Sequence, residues 1–187
     1  LHHIIFNDNV VAGIFTNKAS IAKYHLDILK TLYDKLPKWM CPNGIVWYTR
    51  SVELSNGSKV VVKPTTSPSV HGHAFSLVFL DEYAFAEGEY ILIDENDSWI
   101  YSNSILNVIL PTMGMNPESK LIVASTSSYG VIFEGKNRKV NRFYKLWMDG
   151  IFDPHGFSTY EICWYDLPMA TKEWKEKTIS YVGIDAW

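Results

Sequence analysis

Two groups of polar residues in this 187-residue chain have the types and the setting for phosphate chemistry. Asp81 and Glu82 follow the apolar run Leu77-Val-Phe-Leu80 directly, and Ser125 and Thr126 close a second run, Leu121-Ile-Val-Ala124; Ser125 stands 44 positions after Asp81. A short apolar run without alternation reads as a strand buried on both faces, as in a parallel α/β sheet. Such sheets bind ligands beyond the carboxyl ends of their strands, where both polar groups would emerge. A carboxylate pair in that place has the shape of a Walker B element. Its Asp would hold Mg2+ through the water shell, and its Glu would act as general base toward water. A small hydroxyl at Ser125 or Thr126 could bond the γ-phosphate or the attacking water. Alone, Ser125-Thr-Ser-Ser reads as a loop; paired with Asp81-Glu82 it reads as part of the same site.

For the two groups to meet, their strands must be parallel neighbours joined by a crossover. The stretch between them contains a predicted helix from Trp99 to Leu110, closed by Pro111, which is the right content for such a connection. Upstream, Val10-Val-Ala-Gly-Ile-Phe15 is another strand-like run. Ser20 is the expected N-cap of a helix whose apolar stripe is Ile21, Tyr24, Ile28, Leu32 and Leu36, ended by Pro37. Ile45–Tyr48, Ser51–Leu54 and Lys59–Val62 are rich in β-branched and aromatic residues, and Asn56-Gly57 between the last two is a hairpin signal. Asn56-Gly-Ser58 and Asn96-Asp-Ser98 also fit a glycosylation pattern, and both are read as turn chemistry.

Further along, a Pro/Ser/Thr-rich loop runs from Pro64 to Gly72, and Glu87 to Asp97 is expected to be an acidic, solvated loop. It lacks the alternating oxygen ligands of a calcium loop. Lys136, Arg138, Lys139 and Arg142 form a basic stretch, expected as a solvated loop before a DNA or partner contact. Arg142–Asp149 is expected to be helical with Phe143, Leu146 and Trp147 on one side. Ser158–Trp164 is expected as a strand, and Thr171–Val182 as a helix capped by Thr171.

Composition narrows the class without choosing a function. The chain is 47% hydrophobic and 20% charged, enough for one real core. A net charge of −3 carries no global nucleic-acid signature, so any such contact would be a local patch. Cys41 and Cys163 are too few for a disulfide framework, which favours an intracellular setting. No apolar run approaches a membrane span. The chain begins at Leu1 without Met and ends at Trp187 without a terminating signal, and is expected to be part of something longer.

Taken in order, these residues resemble the ATPase domain of the large terminase subunit of tailed phages. The resemblance covers nearly the whole chain. It is carried by Phe15-Thr-Asn-Lys18 with the helix after it and Leu36-Pro37, by the hairpin from Ile45 to Val62, and by Ser69-Val-His-Gly-His-Ala-Phe75. The Walker B element Val78-Phe-Leu-Asp-Glu82 and the coupling motif Ala124-Ser-Thr126 with Gly130 complete it. It implies an α/β, P-loop NTPase-like fold: a mostly parallel sheet with flanking helices and an inserted β-hairpin. Residues 1–187 would be a partial domain, with 1–130 the central sheet region and 131–187 its C-terminal part.

The implied activity is ATP hydrolysis with Mg2+. Asp81 and Glu82 would be catalytic, and Ser125 and Thr126 would couple γ-phosphate loss to movement. The implied partners are double-stranded viral DNA, the portal protein and the small terminase subunit. The setting would be a homo-oligomeric ring at the procapsid portal in the host cytoplasm, with no membrane. The family's phosphate-binding loop would lie upstream of Leu1 and its nuclease domain beyond Trp187, so ATP binding by 1–187 alone is expected to be poor. One departure is His71, where the family usually has Arg, in some members a trans-acting finger. A mostly neutral His is a weaker phosphate partner, and Arg50 is an alternative source of the charge. Two other readings stay open. A helicase-type core shares Asp81-Glu82 and Ala124-Ser125-Thr126 but would close the first box with Asp or His. In a non-catalytic assembly module the carboxylates merely end a strand.

Overall fold

The structure is a computed structural model that describes residues 1–42, 44–66, 72–96, 98–114, 116–126, 128, 130–152, 157–166, 168 and 171–182. The chain divides into two units, Leu1–Met148 and Asp149–Trp187.

The first unit holds a six-stranded sheet. Its strands are β1 (Val11–Thr16), β2 (Ile45–Trp47), β3 (Ser51–Leu54), β4 (Lys59–Pro64), β5 (Leu77–Asp81) and β8 (Lys120–Val123), in the order β2-β3-β4-β1-β5-β8. β4, β1, β5 and β8 are parallel, and β2 and β3 are antiparallel additions at one side. The Asn56-Gly57 turn joins β3 to β4 as expected, with Gly57 at φ +79, a value costly for a residue with a Cβ. Asn56 is tied into this turn by Nδ2 donating to the Ile4 and Asn7 carbonyls. The second arm of the hairpin is therefore a strand of the central sheet rather than a separate insertion.

Both faces of the sheet are covered. On one lie α1 (His2–Phe6) and α2 (Ala19–Asp34), burying Ile4, Ala22, Leu26 and Leu29 against Ala12, Val52, Val60 and Val62. On the other lies α3 (Leu106–Met113), burying Leu106, Ile109 and Met113 against Phe15, Val78 and Leu80. Alternation along β1 splits it between the two cores. Gly13 leaves room for the edge-to-face pair Phe15–Phe75, because a Cβ there would sit 2.6 Å from the Phe15 ring.

Several expectations are corrected. Helix α2 starts at Ala19 with Lys18 in the capping position and no side-chain cap, so Ser20 lies inside it. Thr16 Oγ1 donates to the Lys18 carbonyl and Ala22 N–H to the same oxygen, which sets the start two residues early. The inward stripe is Ala22, Leu26 and Leu29, while Tyr24 and Leu32 are exposed. β8 is the edge of the sheet among the described residues, and its Ile122 is 49% exposed rather than buried.

The region from Glu87 to Leu110 is neither a solvated loop followed by a helix nor a simple crossover. β6 (Tyr90–Ile93) and β7 (Trp99–Asn103) form a second, antiparallel sheet with β9 (Val131–Glu134) and β10 (Asn137–Asn141), in the order β7-β6-β10-β9. The basic stretch is thus a hairpin, and pairing with distant β6 makes strands where local propensity is weak. Helix α3 begins only at Leu106 and contains Pro111 within its last turn, closed by Gly114 N–H on the Leu110 carbonyl.

Helix α4 (Arg142–Phe152) starts where it was expected and continues three residues past Asp149. In the second unit, residues 157–163 have no regular structure where a strand was expected, and Trp164–Asp166 is a single 3-10 turn. Helix α5 (Lys172–Val182) follows, with Thr171 Oγ1 accepting from Trp174 N–H as the expected cap.

Candidate active site

The parallel register brings the expected residues to one edge. Thr16 is the partner of Asp81 across β1–β5, and Leu80 of Val123 across β5–β8. The Ala124 N–H continues the second ladder onto the Leu80 carbonyl at 2.8 Å, and the Tyr83 N–H returns to the Ala124 carbonyl at 3.2 Å. Crossing bonds of this kind hold residues 81–83 and 124–126 side by side at the carboxyl ends of β5 and β8.

Glu82 is turned toward Ser125 and Thr126 by its backbone. It has φ 51 and ψ 42, the left-handed region. Among the described non-glycine residues only Asn9 also has positive φ. Such a conformation costs roughly 1–3 kcal/mol and is kept only where its surroundings over-determine it. Here the turn Tyr83–Phe85 begins at once after it. Glu82 Oε2 faces three donors: Thr126 Oγ1 at 3.3 Å, Ser125 Oγ at 3.4 Å and Thr126 N–H at 3.5 Å. Ser125 Oγ also accepts from Ala84 N–H at 3.1 Å, so its proton is directed to the carboxylate. These long contacts orient Glu82 without enclosing it, which leaves its oxygens able to take a proton from water.

Asp81 has a partner with no local trace in the sequence. His25, on the second turn of α2, places Nε2 2.7 Å from Asp81 Oδ2, both side chains being about a quarter exposed (23% and 24%). Nε2 must carry the proton that this bond donates to the carboxylate. His25 lies on the helix face that carries Ala22 and Leu26, and only the packing of α2 on β1 and β4 brings it to the sheet edge. A partly exposed carboxylate at a parallel-sheet edge fits Mg2+, which keeps most of its waters and takes one or two carboxylates plus phosphates. Among the described residues no group of three or more His, Cys, Asp or Glu could hold a metal ion.

The other candidates are spread out. His71 lies outside the described residues. Arg50, in the turn before β3, has its carbonyl bonded by Val62 N–H at 2.9 Å, which puts it at the same sheet edge as Asp81 but beyond β4 and β1. Burial, then Lys59 and Arg50, hold the Lys63 ammonium below its usual range there. Burial also lowers His73, with Lys63 and Lys59 adding to it, so the ring is neutral near pH 7. In the second sheet, Lys136 pairs with Glu95 at 2.9 Å on the surface, and the Lys139 ammonium lies 4.1 Å from the centre of the Tyr90 ring.

No protein-family model matches the chain. Solved structures do. The fold is similar to the large terminase ATPase domain of Thermus phage P74-26, with a TM-score of 0.62 at 13% identity over 96% of this chain and 74% of that one. An arginine-to-alanine mutant of the same domain matches with a TM-score of 0.63 at 14% identity, over 94% of this chain and 73% of that one. At such identity the likeness is one of fold: this chain has the mostly parallel α/β fold of phage large terminase ATPase domains. Among the described residues no helix is long and apolar enough to cross a membrane.

Proposed function

We propose that this chain carries the hydrolytic edge of an ATP-driven motor of the phage large terminase kind. The observation that carries the reading is the convergence of Glu82, Ser125 and Thr126 beside Asp81 at the carboxyl ends of neighbouring parallel strands. In this reading Glu82 takes the proton of the attacking water, and Ser125 and Thr126 hold its carboxylate toward the phosphate edge. His25 keeps Asp81 oriented from the other side. Mg2+, held by Asp81 through water, would supply charge neutralisation on the β- and γ-phosphates. When the γ-phosphate leaves, Ser125 and Thr126 are the residues through which a change at Glu82 reaches β8.

DNA translocation, a ring of copies, the portal and the small terminase subunit belong to this proposal, as does a place at the procapsid portal in the host cytoplasm. What supports them is the shared fold together with the ordered motifs of the sequence. The test is turnover in the intact protein. Glu82→Gln keeps size and hydrogen bonding but removes the base, and should lower ATP turnover by roughly 10²–10⁴-fold. Turnover within a few-fold of the parent would remove Glu82 from the mechanism.

A further inference from the structure

Directly behind the candidate base lies a buried chain of hydrogen bonds whose members the proposed chemistry does not use. Tyr83 is fully buried, and its hydroxyl is 2.5 Å from Glu89 Oε2 and 2.9 Å from Ser104 Oγ. Glu89 is 6% exposed and Ser104 4%, so neither is solvated in place of these bonds. Every proton can be assigned. Leu106 N–H donates to Ser104 Oγ at 3.0 Å, the Ser104 hydroxyl donates to the Tyr83 oxygen, and the Tyr83 hydroxyl donates to Glu89 Oε2. Glu89 Oε1 accepts from Ile105 N–H at 2.6 Å, at the start of α3. A fully satisfied buried network is stiff, because any departure leaves a polar group unpaired.

The two ends of this network matter to the site. At one end the phenol is fixed to the start of α3 and to the segment entering β6. At the other, the Tyr83 backbone is the residue after Glu82, and its N–H bonds the Ala124 carbonyl. The turn is braced again by Ala84, whose N–H bonds Ser125 Oγ and whose carbonyl accepts Asn141 Nδ2 at 2.8 Å. The left-handed backbone of Glu82 cannot relax toward an ordinary conformation without rotating Tyr83, and rotating Tyr83 pulls its hydroxyl away from Glu89 and Ser104. Burial first, and Glu89 second, keep the phenol protonated far above its ordinary range, so the donor is permanent.

We infer that Tyr83, anchored by Glu89 and Ser104, is a positioning residue that holds Glu82 in its strained, water-facing conformation. The inference rests on the reading of Glu82 as the base. It also accounts for a buried carboxylate placed between the catalytic turn and the second sheet, where an apolar side chain would pack at lower desolvation cost.

The experiment is a double-mutant cycle in the intact protein, with ATP turnover followed by phosphate release and folding followed by circular dichroism. Tyr83→Phe removes one oxygen and keeps the ring. It should fold, lower kcat about 5- to 30-fold and leave the KM for ATP within about twofold, because the ring still packs and substrate contacts are untouched. In a Glu82→Gln background the same change should cost less than about twofold, since its effect passes through Glu82. Should Tyr83→Phe fail to fold, Ser104→Ala carries the same cycle. It removes one donor to the phenol, leaves both bonds to Glu89, and should lower kcat about two- to fivefold with the same dependence on Glu82. An unchanged kcat, an equal loss in both backgrounds, or kcat and KM moving together would overturn the inference. If Glu82→Gln alone leaves turnover intact, it is the assignment of the base that fails; if that variant is inactive and Tyr83→Phe is unimpaired, only the positioning role fails.

Discussion

The two sheets of the first unit are built on opposite terms. In the six-stranded sheet, Val78 and Leu80 on β5 and Val61 and Val62 on β4 are almost wholly buried, and helices cover both faces. In the four-stranded sheet, Ile132 is 50% and Phe133 73% exposed on edge strand β9, and β10 carries Arg138 and Lys139 among its five residues. The first sheet is held by apolar burial and presents its chemistry only at strand ends. The second buries Ile91 on β6 and Val140 on β10 but leaves its edge strand open, and polar anchors such as Glu89 tie it to its surroundings. The proposed catalytic edge needs residues that do not shift, and the buried sheet provides that; the exposed sheet is bound to it through Glu89, Ser104 and Asn141.

The sharpest way to break this contrast is to truncate one apolar residue in each sheet. Leu80→Ala should destabilise the fold by about 2–5 kcal/mol, the cost of a cavity between α3 and the sheet, whereas Phe133→Ala should stay within about 0.5 kcal/mol. Denaturant unfolding of both variants checks it, and equal losses would erase the distinction. A smaller effect is expected from His25→Ala, which frees Asp81 without touching the core beneath it. The Mg2+ concentration for half-maximal ATP turnover should rise roughly tenfold, as for loss of an outer-shell partner. Ser125→Ala removes a long bond to the Glu82 carboxylate and the acceptor of Ala84 N–H, and should lower kcat about fivefold, a loss of about 1 kcal/mol.

The smallest effect is on pH dependence. His3 is bonded to Ser76 Oγ, and His73 packs beside Phe75; burial is the first cause that holds both rings below the ordinary value of 6.5. The unfolded chain therefore takes up protons on them first as pH falls below about 6.5, and the fold loses stability in that window. Replacing both by Gln should make the drop in melting temperature between pH 7 and 5.5 shallower by about 1 °C.

The same contrast explains what could be read from the residues. β1, β4 and β5 announce themselves because burial demands continuous apolar runs, and the place of Asp81, Glu82, Ser125 and Thr126 at strand ends is legible because each pair follows an apolar run. Asn137-Arg-Lys-Val-Asn141 has no strand signal at all. It is a strand because β9 pairs with it across a tight turn and β6 pairs with it from a distant part of the chain. Trp99–Asn103 joins the same sheet by pairing with nearby β6, so the expected helix shrinks to the stretch that starts at Leu106. His25 was invisible because its partner is on another element, and a histidine inside an amphipathic helix has no motif. Glu89 looked like one more surface acid in an acidic stretch; only the fold shows that Tyr83 and Ile105 face it.

The central claim is that Glu82 serves hydrolysis rather than nucleotide binding. The direct measurement is ATP affinity and single-turnover hydrolysis on the same preparation of Glu82→Gln in the intact protein. The account predicts affinity within about threefold of the parent and a hydrolysis step slowed by at least roughly 10²-fold. Hydrolysis at the parental rate, or loss of affinity and hydrolysis together, would contradict it.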